Sequence, residues 1–208
     1  MSIEKHIIAS CVIKDSVVVK NGHKLFDEQC EEVQAFLINA YTHLGIDYPK
    51  FYKMDALSKL GWLASEVLLK DESSIKDFAP EEIAIVLSNA NASLDVDFKY
   101  YKTVEEIASP ALFVYTLPNI MIGEISIRNR FKGENGFFIF DQFDAGFVET
   151  YVRGLLDTGT TKLCICGWVD VLGKDYNATL FLIGNTGNDD KILFNKENMN
   201  KIFSGEKI

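Results

Sequence analysis

The apolar positions of this chain follow two patterns: short continuous runs mark strands, and residues recurring every three or four positions mark helices. Ile7-Ile8 and Val17-Val18-Val19 are β-branched runs on either side of Lys14-Asp15-Ser16, which predicts a hairpin or a bent strand over Ile7 to Val19. Between Asp27 and His43 the residues Val33, Phe36, Leu37, Ala40 and Tyr41, followed by Leu44, keep helical spacing, and Gly45 supplies the stop. A second helix is predicted from Asp55, an N-cap residue type, through Leu57, Leu60, Leu63, Ala64, Val67 and Leu68. Ile83-Ala84-Ile85-Val86-Leu87 is apolar throughout, as expected of a strand covered on both faces, with Asn89 to Ser93 as the loop at its end. Phe98 to Ser109 reads as loop and short helix, followed by Leu112 to Tyr115 and a helix from about Asn119 to Arg130. A strand over Gly136 to Phe140, a helix from Asp144 to Asp157, and strands over Lys162 to Cys166 and Thr179 to Ile183 complete the pattern. Strands separated by helical segments imply right-handed βαβ crossovers and a layered α/β sheet. No repeat, low-complexity tract or linker divides the chain, so 1–208 is read as one domain.

Composition and charge narrow the classes further. With 208 residues and 48% hydrophobic content the chain can bury a real core, and disorder is excluded. Thirty carboxylates against 21 Lys and Arg leave a formal charge of −9, which argues against nucleic acid and anionic membrane as general partners. Met1 to His6 leads straight into a strand-like segment with no secretory signal, and no apolar run approaches the roughly 20 residues that span a bilayer, so a cytoplasmic protein is expected. Cys164 and Cys166 share one face of a strand at a spacing unlike a zinc site. Buried free thiols are expected there, and no metal or cofactor.

Most familiar chemistry is missing. Gly133-Glu134-Asn135-Gly136 precedes a strand rather than following one, and neither a P-loop nor a Gly-x-Ser-x-Gly elbow occurs. His6, His23 and His43 stand apart from any carboxylate cluster. The informative segment is Phe137-Phe138-Ile139-Phe140-Asp141-Gln142-Phe143-Asp144-Ala145-Gly146, a strand breaking abruptly into a helix. In α/β sheets the C-terminal end of a strand, facing a helix N-terminus, is where ligands and nucleophiles are placed. Asp141 and Asp144 fit an acid/base pair on type alone, but Asp at a helix start ordinarily caps free N–H groups and meets the positive end of the dipole.

These segments resemble the N-terminal half of a β-ketoacyl-acyl carrier protein synthase, of the thiolase superfamily. Met54-Asp55-Ala56-Leu57-Ser58-Lys59-Leu60 resembles the opening of that family's first long helix, and Ile85-Val86-Leu87-Ser88-Asn89-Ala90-Asn91 its next strand and loop. Leu117-Pro118-Asn119 through Arg128, followed by Phe131-Lys132-Gly133-Glu134-Asn135, is similar to the helix and turn before the nucleophile strand, and Cys166-Gly167-Trp168-Val169-Asp170 to a later strand. The resemblance runs in order over most of Asp55 to Asp170. It implies a three-layer α/β/α half-thiolase fold with a mixed, mostly parallel five-stranded sheet.

The resemblance also implies what the chain lacks. Counting back from Gly159 and Gly167 places Gln142 where the family carries its nucleophilic Cys, and no His follows His43. A Gln amide does not ionise near neutral pH and takes no acyl group, whereas a thiol at a helix N-terminus does both. Chain-length-factor subunits of the family also carry Gln there. The expectation is therefore a non-catalytic ketosynthase-like subunit supporting fatty-acyl or polyketide assembly, with Gln142, Phe143, Asp141 and Asn119 at its binding surface. The alternatives are an acyltransferase or hydrolase reusing the pocket, or a purely structural homodimer. The chain is about the size of one half of a two-half synthase, and the apolar face of Phe147, Tyr151 and Leu155 together with the Phe137 to Phe140 strand calls for cover. A homodimer or a heterodimer with a full-length ketosynthase is expected. Arg128, Arg130 and Lys132 form a candidate patch for acyl carrier protein, or else a solvated helix end whose positive charge suits the C-terminal dipole.

Overall fold

The computed structural model describes residues 4–185 and 192–206. Its strands are β1 (His6–Lys14), β2 (Val17–Lys20), β3 (His23–Asp27), β4 (Ile83–Asn89), β5 (Asn135–Ile139), β6 (Leu163–Leu172), β7 (Asp175–Gly184) and β8 (Ile192–Leu193). They form one mixed sheet in the order β3-β2-β1-β7-β6-β4-β5, with β8 paired to β1. The α-helices are α1 (Val33–His43), α2 (Ala56–Leu69), α3 (Leu94–Val104), α4 (Pro110–Phe113), α5 (Ile120–Asn129), α6 (Ala145–Asp157) and α7 (Lys196–Ser204).

Alternation along the strands sorts the core into two layers. Ile83, Ile85, Leu87, Ile165, Val169 and Leu180 face α1, α2 and α5. Ala84, Val86, Cys164, Cys166, Phe181 and Ile183 face α6 and α7. The result is the expected three-layer α/β/α arrangement, with β4 buried along its whole length as its continuous apolar run requires. None of the described helices is long and apolar enough to cross a membrane.

The sheet is wider than the five strands expected, and among the described residues only β4–β5 and β4–β6 are parallel pairings. The reason lies in the connections. The Lys14-Asp15-Ser16 segment makes a hairpin of β1 and β2, and β6 continues past Cys166 to Leu172 before a tight turn into β7. Strands joined by so few residues can only be antiparallel.

Two glycines permit close approaches, one between helices and one between neighbouring strands. A Cβ on Gly61 of α2 would lie 2.0 Å from the Met121 sulfur, so α2 and α5 pack nearly backbone to side chain at that point. Gly167 in β6 has φ of +145°, and a Cβ there would sit 2.0 Å from the Thr179 carbonyl oxygen of β7. Gly167→Ala is therefore expected to cost about 3 kcal/mol or more through combined backbone strain and overpacking. Urea denaturation of the purified variant, read as a shift of the midpoint at unchanged slope, checks this.

Candidate functional site

The strand-to-helix break seen in the sequence lies at the end of the sheet's parallel section. Phe140 N–H donates to the Asn89 carbonyl at 3.0 Å, so the turn after β5 starts beside the end of β4. Asp141 and Gln142 follow as exposed residues. Asp144 is the N-cap of α6: its Oδ1 accepts the Phe147 N–H at 2.9 Å. The capping role thus falls to Asp144, and Asp141 is left at the surface.

Phe143 points the other way, into the molecule. Its ring stacks on Phe203 of α7 at 4.7 Å between centroids, and lies 6.3 Å from Phe181 and 6.4 Å from Trp168. α7 is held in place for this by α6. Glu149 accepts the Lys196 N–H at 2.8 Å, and Arg153 lies over the Phe194 ring at 5.5 Å and donates to its carbonyl. Gln142 is therefore exposed next to a residue, Phe143, whose ring packs inward.

The α6 face that was expected to seek cover is partly covered from within. Phe147 meets Phe138 at 4.7 Å and Phe140 at 4.8 Å, and Tyr151 meets Phe138 at 5.1 Å, all edge to face. Phe147, Tyr151 and Leu155 are each half-buried. Among the described residues β5 has β4 as its single neighbour, so its far edge is left unpaired by them, and Ile139 is 50% exposed.

The remaining expected residues divide between the two ends of the sheet. Asn119, exposed at the start of α5, belongs to the Gln142 end, because Thr116 just before it accepts the Ser93 hydroxyl at 2.8 Å in the loop after β4. Arg128, Arg130 and Lys132 lie at the opposite end, where Lys132 N–H donates to Pro80 ahead of β4. Arg128 is engaged by Glu66 through two nitrogens, at 3.2 and 3.0 Å, and lies over the Tyr48 ring at 4.9 Å. Lys132 pairs with Glu81 at 3.4 Å. Arg130, at φ +61°, has no acidic partner among the described residues.

Buried charge collects at the start of α2. Asp55 caps that helix by accepting from Ser58 and Leu57 at 3.0 and 3.2 Å, yet burial raises its pKa above the ordinary value of 3.8. Burial lowers the pKa of Lys59, whose ammonium donates to the Met54 carbonyl at 2.5 Å. Tyr115 is pushed up to about 12 by burial and by Glu124 beside it. The thiols of Cys11 and Cys166 are also raised by burial, so neither is poised to become a thiolate. No group of His, Cys, Asp and Glu suited to a metal ion occurs among the described residues.

Two features here were read only in outline from the sequence. One is the set of polar side chains that fix the loop after β4: Asp170, Asn89 and Ser93. The other is α3, which begins at Leu94 rather than near Phe98 and turns its apolar stripe outward. Most of the exposed large apolar side chains among the described residues lie between Leu94 and Leu117, with Tyr101 70% and Ile107 86% exposed. The spacing of Leu94, Phe98 and Tyr101 was the available signal for the helix.

No protein-family model and no curated protein matches the chain. Solved structures do. The ishigamide ketosynthase/chain length factor superposes with a TM-score of 0.63 at 15% identity, covering 90% of this chain and 64% of that one. A type II polyketide synthase acyl-carrier protein in complex with its ketosynthase bound to the hexaketide gives 0.59 at 13%, covering 89% and 64%. A ketosynthase in complex with its chain length factor from Xenorhabdus doucetiae gives 0.55 at 13%, covering 88% and 80%. The chain spans 64% of the length of the first two matched chains. At these identities the likeness defines the fold: it is thiolase-like, of the ketosynthase and chain length factor type.

The cap and the turn separate experimentally. Asp144→Ala should cost about 1 kcal/mol of stability through loss of the α6 cap, while Gln142→Ala, at an exposed position, should stay within about 0.5 kcal/mol. Thermal melts of both variants check this. Asp55 gives a pH signature. Its raised pKa means that the folded chain binds more protons than the unfolded one between pH 3.8 and the raised value, so stability falls as pH rises through that window. Asp55→Asn keeps a cap and should remove this slope in urea titrations run from pH 4 to 7.

Proposed function

We propose that this chain is a ketosynthase-like subunit without condensing activity of its own, which supports fatty-acyl or polyketide chain assembly as the partner of an active ketosynthase. One observation carries the reading. The turn at the N-terminus of α6, in a fold of the ketosynthase and chain length factor type, presents Gln142 to solvent, and a Gln side chain neither ionises nor accepts an acyl group there. The buried thiols with raised pKa at Cys11 and Cys166 support it, since neither is an activated nucleophile.

The partner's docking surface is the free edge of β5, joined by the outward apolar face of the Leu94 to Leu117 segment. An unpaired edge offers main-chain hydrogen bonds to another strand, and a contiguous apolar surface marks a protein contact. Asp141, Gln142 and Asn119, with Phe143 packed behind Gln142, belong to the acyl-binding surface of the pair. Carrier protein, itself acidic, docks near Arg130, because Arg128 and Lys132 are already matched to Glu66 and Glu81.

The competing reading, an acyltransferase or hydrolase working through Asp141, Asp144 or Cys166, has less support: Asp144 is committed to the α6 cap and Cys166 is fully buried. Purification of the tagged chain from its native cell tests the two. A ketosynthase recovered at 1:1 by native mass spectrometry, with no turnover of acyl-carrier-protein thioesters by the chain alone, is the expected result. Turnover that disappears in Asp141→Asn or Cys166→Ser would overturn it, and a homodimer free of synthase and acyl chain would favour a structural role. Ile139→Arg, on the free edge, should abolish recovery of the ketosynthase while changing stability by no more than about 0.5 kcal/mol.

A further inference from the structure

The Leu94 to Leu117 segment has its polarity reversed relative to an ordinary surface helix. On α3 the stripe of Leu94, Phe98 and Tyr101 faces solvent, Val96 is the one buried residue, and α4 buries none. A helix with so little apolar contact to its own domain has little hydrophobic energy holding it in place. What holds it is polar. Asp170, near the end of β6, accepts through Oδ1 from the N–H groups of Ala90 and Asn91 at 3.3 and 3.1 Å, and through Oδ2 from the Asn91 amide at 2.7 Å. Asn89, fully buried, closes the loop on itself by accepting from Ala92 N–H and donating to Ala92 C=O, both at 2.9 Å. Ser93 donates to the Thr116 carbonyl at 2.8 Å, tying the start of the segment to its end. Asp95 Oδ1 then accepts the Gly173 N–H at 3.1 Å, fastening the first turn of α3 to the β6–β7 turn.

We infer that Asp170 and Asp95 are positioning residues for partner binding: they pin the loop after β4 and the first turn of α3 to β6 and the β6–β7 turn by hydrogen bonds, so that the apolar side chains of this segment are free to face a ketosynthase in a preset arrangement. The inference rests on the partner proposed above. Its physical content is a division of labour. Apolar surface spent on anchoring the helix would be lost to the interface, whereas carboxylates accepting backbone N–H groups anchor it without using that surface. A helix ordered before contact also spares the complex the entropy of ordering it.

Three variants and two measurements test this. Hydrogen–deuterium exchange of the isolated chain reads the pins directly. In Asp170→Ala and in Asp95→Ala, exchange across Leu94 to Val104 should rise about tenfold while β4 and β6 keep wild-type protection. Ketosynthase affinity should fall by a similar factor in both. Phe98→Ser, which alters the outward face and leaves the pins alone, should lower affinity with no change in α3 exchange. Unchanged α3 exchange in both Asp variants would overturn the pinning, and raised exchange with wild-type affinity would overturn its role in partner binding. Should Asp170→Ala lose protection across the whole sheet, Asp95→Ala, in the first turn of α3, carries the decision. A wild-type chain that binds no ketosynthase would remove the partner reading itself, and the exchange measurement would still decide the pins.

Discussion

β6 is the strand to which every other part of the molecule is referenced. It pairs in parallel with β4 on one side and antiparallel with β7 on the other, and its residues are buried on both faces from Leu163 to Val169. Gly167 lets β7 come close enough for that ladder to run unbroken, and Ser88 of β4 donates to the Gly167 carbonyl at 3.2 Å across the parallel pair. At its far end the same strand carries Asp170. One rigid element therefore sets the two core layers, the end of β4 beside the Gln142 turn, and the loop that launches α3. Register along β6 is also strongly specified, because a slip of one residue would exchange the inner and outer faces of a strand that has no polar face to offer.

The fold was largely legible because its signals were periodic. The apolar run at Ile83 to Leu87, the helical spacing on either side of Leu60, and Asp55 as a cap each state a local preference that the packing then satisfies. The extension of β6 and β7 was less legible. Asp170, Tyr176 and Asn177 interrupt the apolar pattern, and their strand conformation comes from the β6–β7 ladder, where Asp170 pairs with Asn177 and Val171 with Tyr176, a pairing that leaves no apolar run in the sequence. α3 was obscured for a related reason. An apolar stripe on a segment rich in Asp, Lys and Tyr looks like a broken core helix, since the ordinary reading assumes that apolar faces turn inward.

The site was legible in its chain position and in its residue types, not in its connections. The break from Phe140 into α6, the cap at Asp144 and the place of Gln142 follow from local sequence. That Phe143 packs on Phe203, and that Arg128 belongs to Glu66 rather than to an open patch, depend on residues about sixty positions apart being brought together by the sheet. The hydrogen bonds from Asp170 to the loop after β4 span nearly eighty positions and are of the same kind. Polar partners at such separation have no periodic trace, because each is selected by a single geometry.

The edge of β5 that no described strand pairs bears on how such a chain stays in solution. An edge strand with Phe137, Phe138 and Ile139 in succession, no proline and no charge is the type of segment that pairs with copies of itself. Aggregation-prone surface of this kind is tolerable when its cover is made at the same time and in matching amount. The structure therefore ties the chain's own solubility to whether that edge is covered.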